Sequence, residues 1–200
     1  GIAKAVEIGE GVVPTYFTHE VTDFEPVVDA DGNPVMSHYG LQKAKVKGFK
    51  AVPLPAFLEG PARMMGYVDT DTAREMFNNV KKTDIYDSKL GMYKTSASIE
   101  ECSMENGRCR AFTPGWQERE NVFLHMEYKY MLAMIKAGLY DEFYETVTRA
   151  LVPFLDPNMY GRSTLENSSF LASSVNPNED VHGRGFVARL SGSTTEMIVD

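Results

Sequence analysis

A chain of 200 residues and 22.3 kDa suits one domain, or one domain with an extension, and does not demand two cores. Its composition, 43% hydrophobic and 24% charged, is that of a globular protein and excludes a disordered tail, a coiled coil and a collagen-like repeat. Twenty Lys and Arg against twenty-eight Asp and Glu leave a net charge of -8 with no basic cluster, which argues against nucleic acid as a partner.

The strongest apolar run, residues 131–135, falls far short of the roughly 20 residues needed to span a bilayer, so no membrane insertion is expected. The chain opens on Gly1, and its first residues, GIAKAVEIGEG, lack the basic and long apolar regions of a secretory signal. A cytoplasmic protein, cut from a longer chain, is the expectation. Cys102 and Cys109 lie seven apart in a polar stretch without a CxxC pattern; a disulfide is admissible, and two free thiols fit the cytoplasmic reading better.

Residues 1–50 carry Gly9, Gly11, Gly32, Gly40 and Gly48, with the turn sequence DADGNP at 29–34 between runs such as VVPTYF and FEPVV. Two or three short strands are predicted there, in an arm or linker with little to build a core. Residues 51–200 turn helical. Ala73, Met76, Phe77 and Val80 share one face, and Thr72 with Glu75 spells a capping box, which predicts a helix over about 72–82. From Val122 to Ile135 apolar residues cover nearly the whole circumference, so this helix should be buried on most sides. Gly138 ends it, and Phe143, Tyr144, Val147 and Leu151 form a one-sided stripe before Pro153. Shorter helices are predicted near 55–65 and 164–173, and the tail reads as an extended FVARL followed by a helix start. A wholly buried helix paired with a one-sided one is the requirement of concentric helical barrels, so the predicted fold class is mainly α, part of a toroid.

His125 interrupts the apolar helix just after the polar stretch Trp116, Gln117, Glu118, Arg119, Glu120. It reads either as a hydrogen-bonded core histidine or as a functional group at the junction of a loop with an inner helix. Glu127 is no metal partner for it, because two residues along a helix turn side chains by about 200°. Ser191, Gly192, Ser193, Thr194 and Thr195 read either as an ordinary Ser/Thr cap or as a cradle of hydroxyls and amides for an anion. No metal site is expected.

Taken together, GRCRAFTPGWQERENVFLHMEYKYML (107–132), ALVPFLDPNMYGRSTLENSSF (150–170) and HGRGFVARLSGSTTEM (182–197) resemble the C-terminal part of the catalytic domain of cellobiose-phosphorylase-like enzymes, glycoside hydrolase family 94 and related β-oligoglucan phosphorylases. PLPAFLEGPARMM and KLGMYKTSAS look like the long, oligoglucan-acting branch, and the likeness covers about residues 50–200. The resemblance implies an (α/α)6 barrel and an inverting phosphorolysis in which an Asp acid protonates the glycosidic oxygen while phosphate attacks the opposite face, with no metal and no organic cofactor. It implies phosphate contacts at His125 and Ser193, with Gly192 and Thr194 in the same turn, and sugar contacts around Gln117, Glu118 and Glu166, while Trp116 reads either as a ring for a sugar face or as core packing. The Gln117, Glu118, Arg119 stretch departs from the family's Lys-Glu-Asn, and Glu166 lacks the Pro and Tyr that follow it in the family.

The family's acidic Asp sits in an aromatic, Asp-rich segment absent here; Asp23, Asp29, Asp69, Asp71, Asp84 and Asp87 lack that context. The expected chain is therefore the C-terminal half of a barrel that supplies the phosphate side and is inactive alone. Its expected partners are a β-linked gluco-oligosaccharide, phosphate and the rest of the parent chain, with a homodimer admissible. Two rival readings remain: a non-catalytic carbohydrate-binding or scaffold domain, and a hydrolase using Glu118 and Glu166.

Overall fold

A computed structural model describes residues 2–187 and 192–199. The chain divides into two compact units, Tyr16–Leu54 and the remainder.

The smaller unit is a β-ribbon. Strands β1 (Phe17–Pro26) and β2 (Ala44–Pro53) pair antiparallel from Phe17 opposite Pro53 to Pro26 opposite Ala44, with irregular register around Asp23. Val21, Phe24, Val46 and Phe49 fall on one face, while Glu25 and Lys47 pair at 2.9 Å on the other. The DADGNP stretch forms the predicted turn: the Asp29 carboxylate accepts the amides of Asp31 and Asn33, and the Asn33 amide foremost pulls its pKa down.

The larger unit contains, among the described residues, seven α-helices: α1 (Ile2–Ile8), α2 (Glu59–Met64), α3 (Thr70–Lys81), α4 (Leu124–Lys136), α5 (Tyr140–Ala150), α6 (Pro157–Tyr160) and α7 (Gly192–Val199). Two small antiparallel sheets accompany them. One pairs β3 (Tyr86–Asp87) with β4 (Met92–Tyr93); the other runs β5 (Val122–Phe123), β6 (Phe170–Leu171), β7 (Gly185–Phe186). The fold is mixed α and β, which corrects the expectation of a mainly α, (α/α)6-type toroid.

The physical reason lies in α4. It is apolar all round because two cores flank it. Tyr130, Ala133 and Met134 join Leu58, Met65, Phe77, Val80 and Tyr93 on one side, while Leu124, Tyr128 and Met131 join Val122, Val152, Tyr160 and Leu171 on the other. A helix between two cores carries the same sequence signature as the inner helix of a toroid. α5 folds back on α4 as expected, with Phe143 packed against both cores, although Tyr144 of its supposed stripe is 67% exposed.

Other expectations shift. The cap of α3 is Asp69, whose carboxylate accepts the Thr72 amide at 3.0 Å and the Thr72 hydroxyl at 2.8 Å, so the helix starts two residues before the Thr72 box. Residues 164–169 are not helical, and Phe170–Leu171 is strand β6: Tyr160 binds Glu166 O and Ser168 Oγ through its hydroxyl, which holds the segment open. Cys102 and Cys109 are free, and burial raises both thiols. No helix is long and apolar enough to cross a membrane.

The chief unfavourable burial is Glu127, fully enclosed on α4 with both carboxyl oxygens accepting the Tyr93 amide at 3.3 and 3.1 Å. Desolvation raises its pKa from 4.5 to about 8. Between those values the unfolded chain has released the proton and the folded chain retains it, so stability falls with rising pH by about 1.4 kcal/mol per pH unit from this group. Glu127→Gln, which keeps an acceptor for Tyr93, should be markedly more stable than the natural chain at pH 8 and similar to it below pH 5, as read from urea unfolding at both pH values; equal gaps at the two pH values would contradict an enclosed neutral acid.

Candidate functional site

Strand β5 passes into α4 without an intervening loop. The sheet ladder continues into the helix: Leu124 donates to Ser169 O at 3.0 Å, and Ser169 donates to Val187 O at 2.8 Å. Phe123, at the N-cap, supplies no side-chain acceptor, so the first turn of α4, containing His125, has no side-chain cap.

α7 packs against α4 and begins beside this turn. A Cβ added to Gly192 would lie 3.1 Å from His125 Nδ1 and 3.5 Å from its Cγ, so glycine is what lets the two backbones close around the imidazole. Ser193 is 2% exposed, and its hydroxyl has no hydrogen-bond partner among the described residues. Two helix N-termini, each with the positive end of its peptide dipoles, thus converge on one place.

A cleft of about 450 Å³ opens there, lined by Arg108, Gln117, Glu118, Phe123, His125, Ser169, Phe170, Val187, Gly192 and Ser193. One wall is charged. Arg108 clamps Glu118 through two bonds, Nε to Oε2 at 2.9 Å and Nη2 to Oε1 at 2.7 Å, and this pairing lowers the Glu118 pKa. Another part of the lining is aromatic. Cross-strand register stacks Phe123 on Phe170 at 4.8 Å and Phe170 on Phe186 at 5.4 Å; Phe186 stacks flat on Trp116 at 3.7 Å, and Phe123 continues to His125 at 5.5 Å. Phe170 thus stacks with a ring from each neighbouring strand.

The loop carrying Gln117 and Glu118 is held from beneath. Arg119, 7% exposed, donates Nη1 to Arg110 O and Phe112 O at 2.9 and 3.1 Å and pairs with Glu100 and Glu120. Gly115, at φ +72°, lies so close to the Asn176 amide that a Cβ would approach it to 2.7 Å. Gln117 (φ 55°), Glu120 (φ 54°) and Val187 (φ 56°) are all left-handed, at a cost of about 1 to 2 kcal/mol each. Strain of this kind persists where surrounding contacts over-determine the backbone, commonly around sites.

Of the residues singled out in sequence, His125, Gly192, Ser193, Gln117 and Glu118 share this cleft. Trp116 stands behind it in the ladder. Thr194 and Glu166 line a neighbouring cleft of about 630 Å³ with Arg162, Asn167 and Met197, where Glu166 pairs with Arg162 at 3.3 Å. Ser191 lies outside the described residues. Glu118 and Glu166 therefore line different clefts, each paired with its own arginine. Sequence reasoning missed Arg108, Phe123, Phe170 and Phe186; three strands of two residues each carry no periodicity that could have flagged the ladder.

Among the described residues no group of three or more His, Cys, Asp or Glu is placed to hold a metal. Comparison with protein-family models and with curated proteins finds no match to this chain. The tight approach at Gly192 predicts that Gly192→Ala keeps the fold and pushes the His125 ring aside by a few tenths of an ångström, because α7 tolerates alanine and the imidazole lies in its way. Histidine side-chain NMR should show the His125 resonances displaced and those of His19, His38 and His182 unchanged; an unperturbed His125 would contradict the contact.

Proposed function

We propose that this chain supplies the phosphate side of an inverting glycoside phosphorylase that cleaves β-linked gluco-oligosaccharides to a sugar 1-phosphate. The observation that carries the reading is the approach of Gly192 to His125 beside the buried Ser193 hydroxyl, which has no partner among the described residues, at the meeting of two helix N-termini. The two segments that resemble the family's phosphate contacts lie far apart in the chain, and they meet in one cleft.

Phosphate bound there accepts hydrogen bonds from the His125 ring, the Ser193 hydroxyl and the amides at the start of α7, including that of Thr194, whose own side chain faces the neighbouring cleft. An anion needs no base to become a nucleophile; it needs fixed donors that hold one oxygen in line with the anomeric carbon. Sugar rings lie along Phe123 and Phe170, backed by Phe186 and Trp116, with Gln117 and Glu118 for their hydroxyls. Glu166 reaches only a sugar that extends into the neighbouring cleft. The acid that protonates the leaving oxygen comes from outside these 200 residues, in a cytoplasmic parent enzyme that needs no organic cofactor.

The parent protein should release glucose 1-phosphate from β-linked gluco-oligosaccharides only when phosphate is present. His125→Ala and Ser193→Ala should each reduce that rate by roughly 100-fold, the scale of losing one donor to developing charge. The 200-residue chain alone should show no turnover. Parent activity indifferent to phosphate or to His125→Ala would sink the proposal, and turnover by the isolated chain would place the acid inside it. The aromatic ladder favours one other reading, a carbohydrate-binding domain without chemistry, for which oligosaccharide affinity measured by calorimetry is the same with and without phosphate.

A further inference from the structure

A phosphate dianion inside a chain of net charge -8 requires a local cation. Of the ten residues lining the His125 cleft, Arg108 is the one with a permanent positive charge, and Glu118 already holds it with two hydrogen bonds. The clamp is tight in geometry and weak in energy: the two side chains are 74% and 36% exposed, so water screens the pair and opening it costs little. A guanidinium fork fits a phosphate edge as well as a carboxylate.

We propose, resting on the phosphate reading above, that Arg108 is the charge partner of the bound anion and that Glu118 is its built-in competitor, which holds the guanidinium until phosphate displaces it. The exchange conserves charge pairs: Arg108 passes from a carboxylate to a dianion, and Glu118 is released. A released Glu118, still in the cleft, is a free acceptor for a sugar hydroxyl, so phosphate binding prepares the sugar side and, by linkage, sugar binding favours phosphate to the same extent. Without phosphate the cleft is self-neutralised and holds neither ligand well.

Calorimetric titration of inorganic phosphate into the 200-residue chain tests this. Arg108→Ala should weaken binding by about 10-fold or more, the scale of one charge-assisted contact, and Glu118→Gln should tighten it several-fold. The discriminating arm is the double variant Arg108→Ala/Glu118→Gln, in which the gain from Glu118→Gln disappears, because the gain comes from freeing Arg108. Arg74→Ala, which removes a cation paired with Glu142 away from the cleft, should leave the affinity unchanged and control for net charge. Overturning results are an Arg108→Ala affinity within twofold of the natural chain while His125→Ala abolishes binding, or an equal gain from Glu118→Gln with and without Arg108. Phosphate binding that is absent, or insensitive to His125→Ala, overturns the phosphate site itself and this inference with it.

Discussion

The pairing of Phe123 with Phe170, and of Phe170 with Phe186, is the constraint from which the geometry of the cleft descends. Because β5 becomes α4 at the next residue, the register that aligns these rings also sets the rotation of the helix and hence the direction of His125. A slip of one residue would turn every β5 side chain to the other face of the sheet, exchanging buried Val122 for Phe123. A sheet of two-residue strands has few backbone bonds to resist such a slip. The stacked rings supply the missing specificity, and Val122 and Leu171, opposite each other and both fully buried, fix the reverse face in the second core.

That arrangement explains why the surrounding loops are strained and stiff at once. Gln117, Glu120 and Val187 hold left-handed backbone, and nothing in their side chains favours it. The compensation is a set of buried polar contacts: Arg119 ties the loop to Arg110 O and Phe112 O, Ser173 Oγ donates to Glu120 O, and the Asp87 carboxylate accepts the Ser174 amide and hydroxyl at 2.7 and 2.8 Å. A loop anchored at this many points resists closing over a ligand and keeps its donors at fixed separations, which suits a site that works by position.

Much of the helical scaffold was legible in sequence, since α3, α4 and α5 each have a long enough apolar pattern to declare themselves. The architecture was not. All-round apolarity of α4 fits an inner toroid helix and a helix between two cores equally, and which one holds depends on partners such as Tyr160 and Val152 that arrive from helical pieces of three or four residues, too short to show a periodicity. His125 and the Gly192, Ser193 turn could be singled out by residue type at helix starts, and the approach at Gly192 is what brings the two segments together. Arg108 and the phenylalanine ladder carried no signal, because their meaning comes only from register and from a clamp across a loop. Thr194 shows the converse: next to Ser193 in sequence, it lines another cleft because successive residues on a helix point in different directions.

Charge distribution gives the cleft its character. Across the chain acidic groups exceed basic ones by eight, so the mean field repels an anion, and any anion site must be local and partly enclosed. Helix termini meet that demand better than lysines would, because their partial charges are fixed in direction and acquire no counter-ion from the acidic surface. Arg108 is the exception, a full charge, and it carries its own carboxylate with it. On the proposed function, an acidic protein would display an arginine beside an anion site without a standing excess of positive charge, since the excess would appear only when Glu118 lets go. The free energy needed to part them is small because the pair is exposed, and on the same proposal the helix dipoles, the Ser193 hydroxyl and the imidazole in this cleft are what an anion would gain by displacing Glu118.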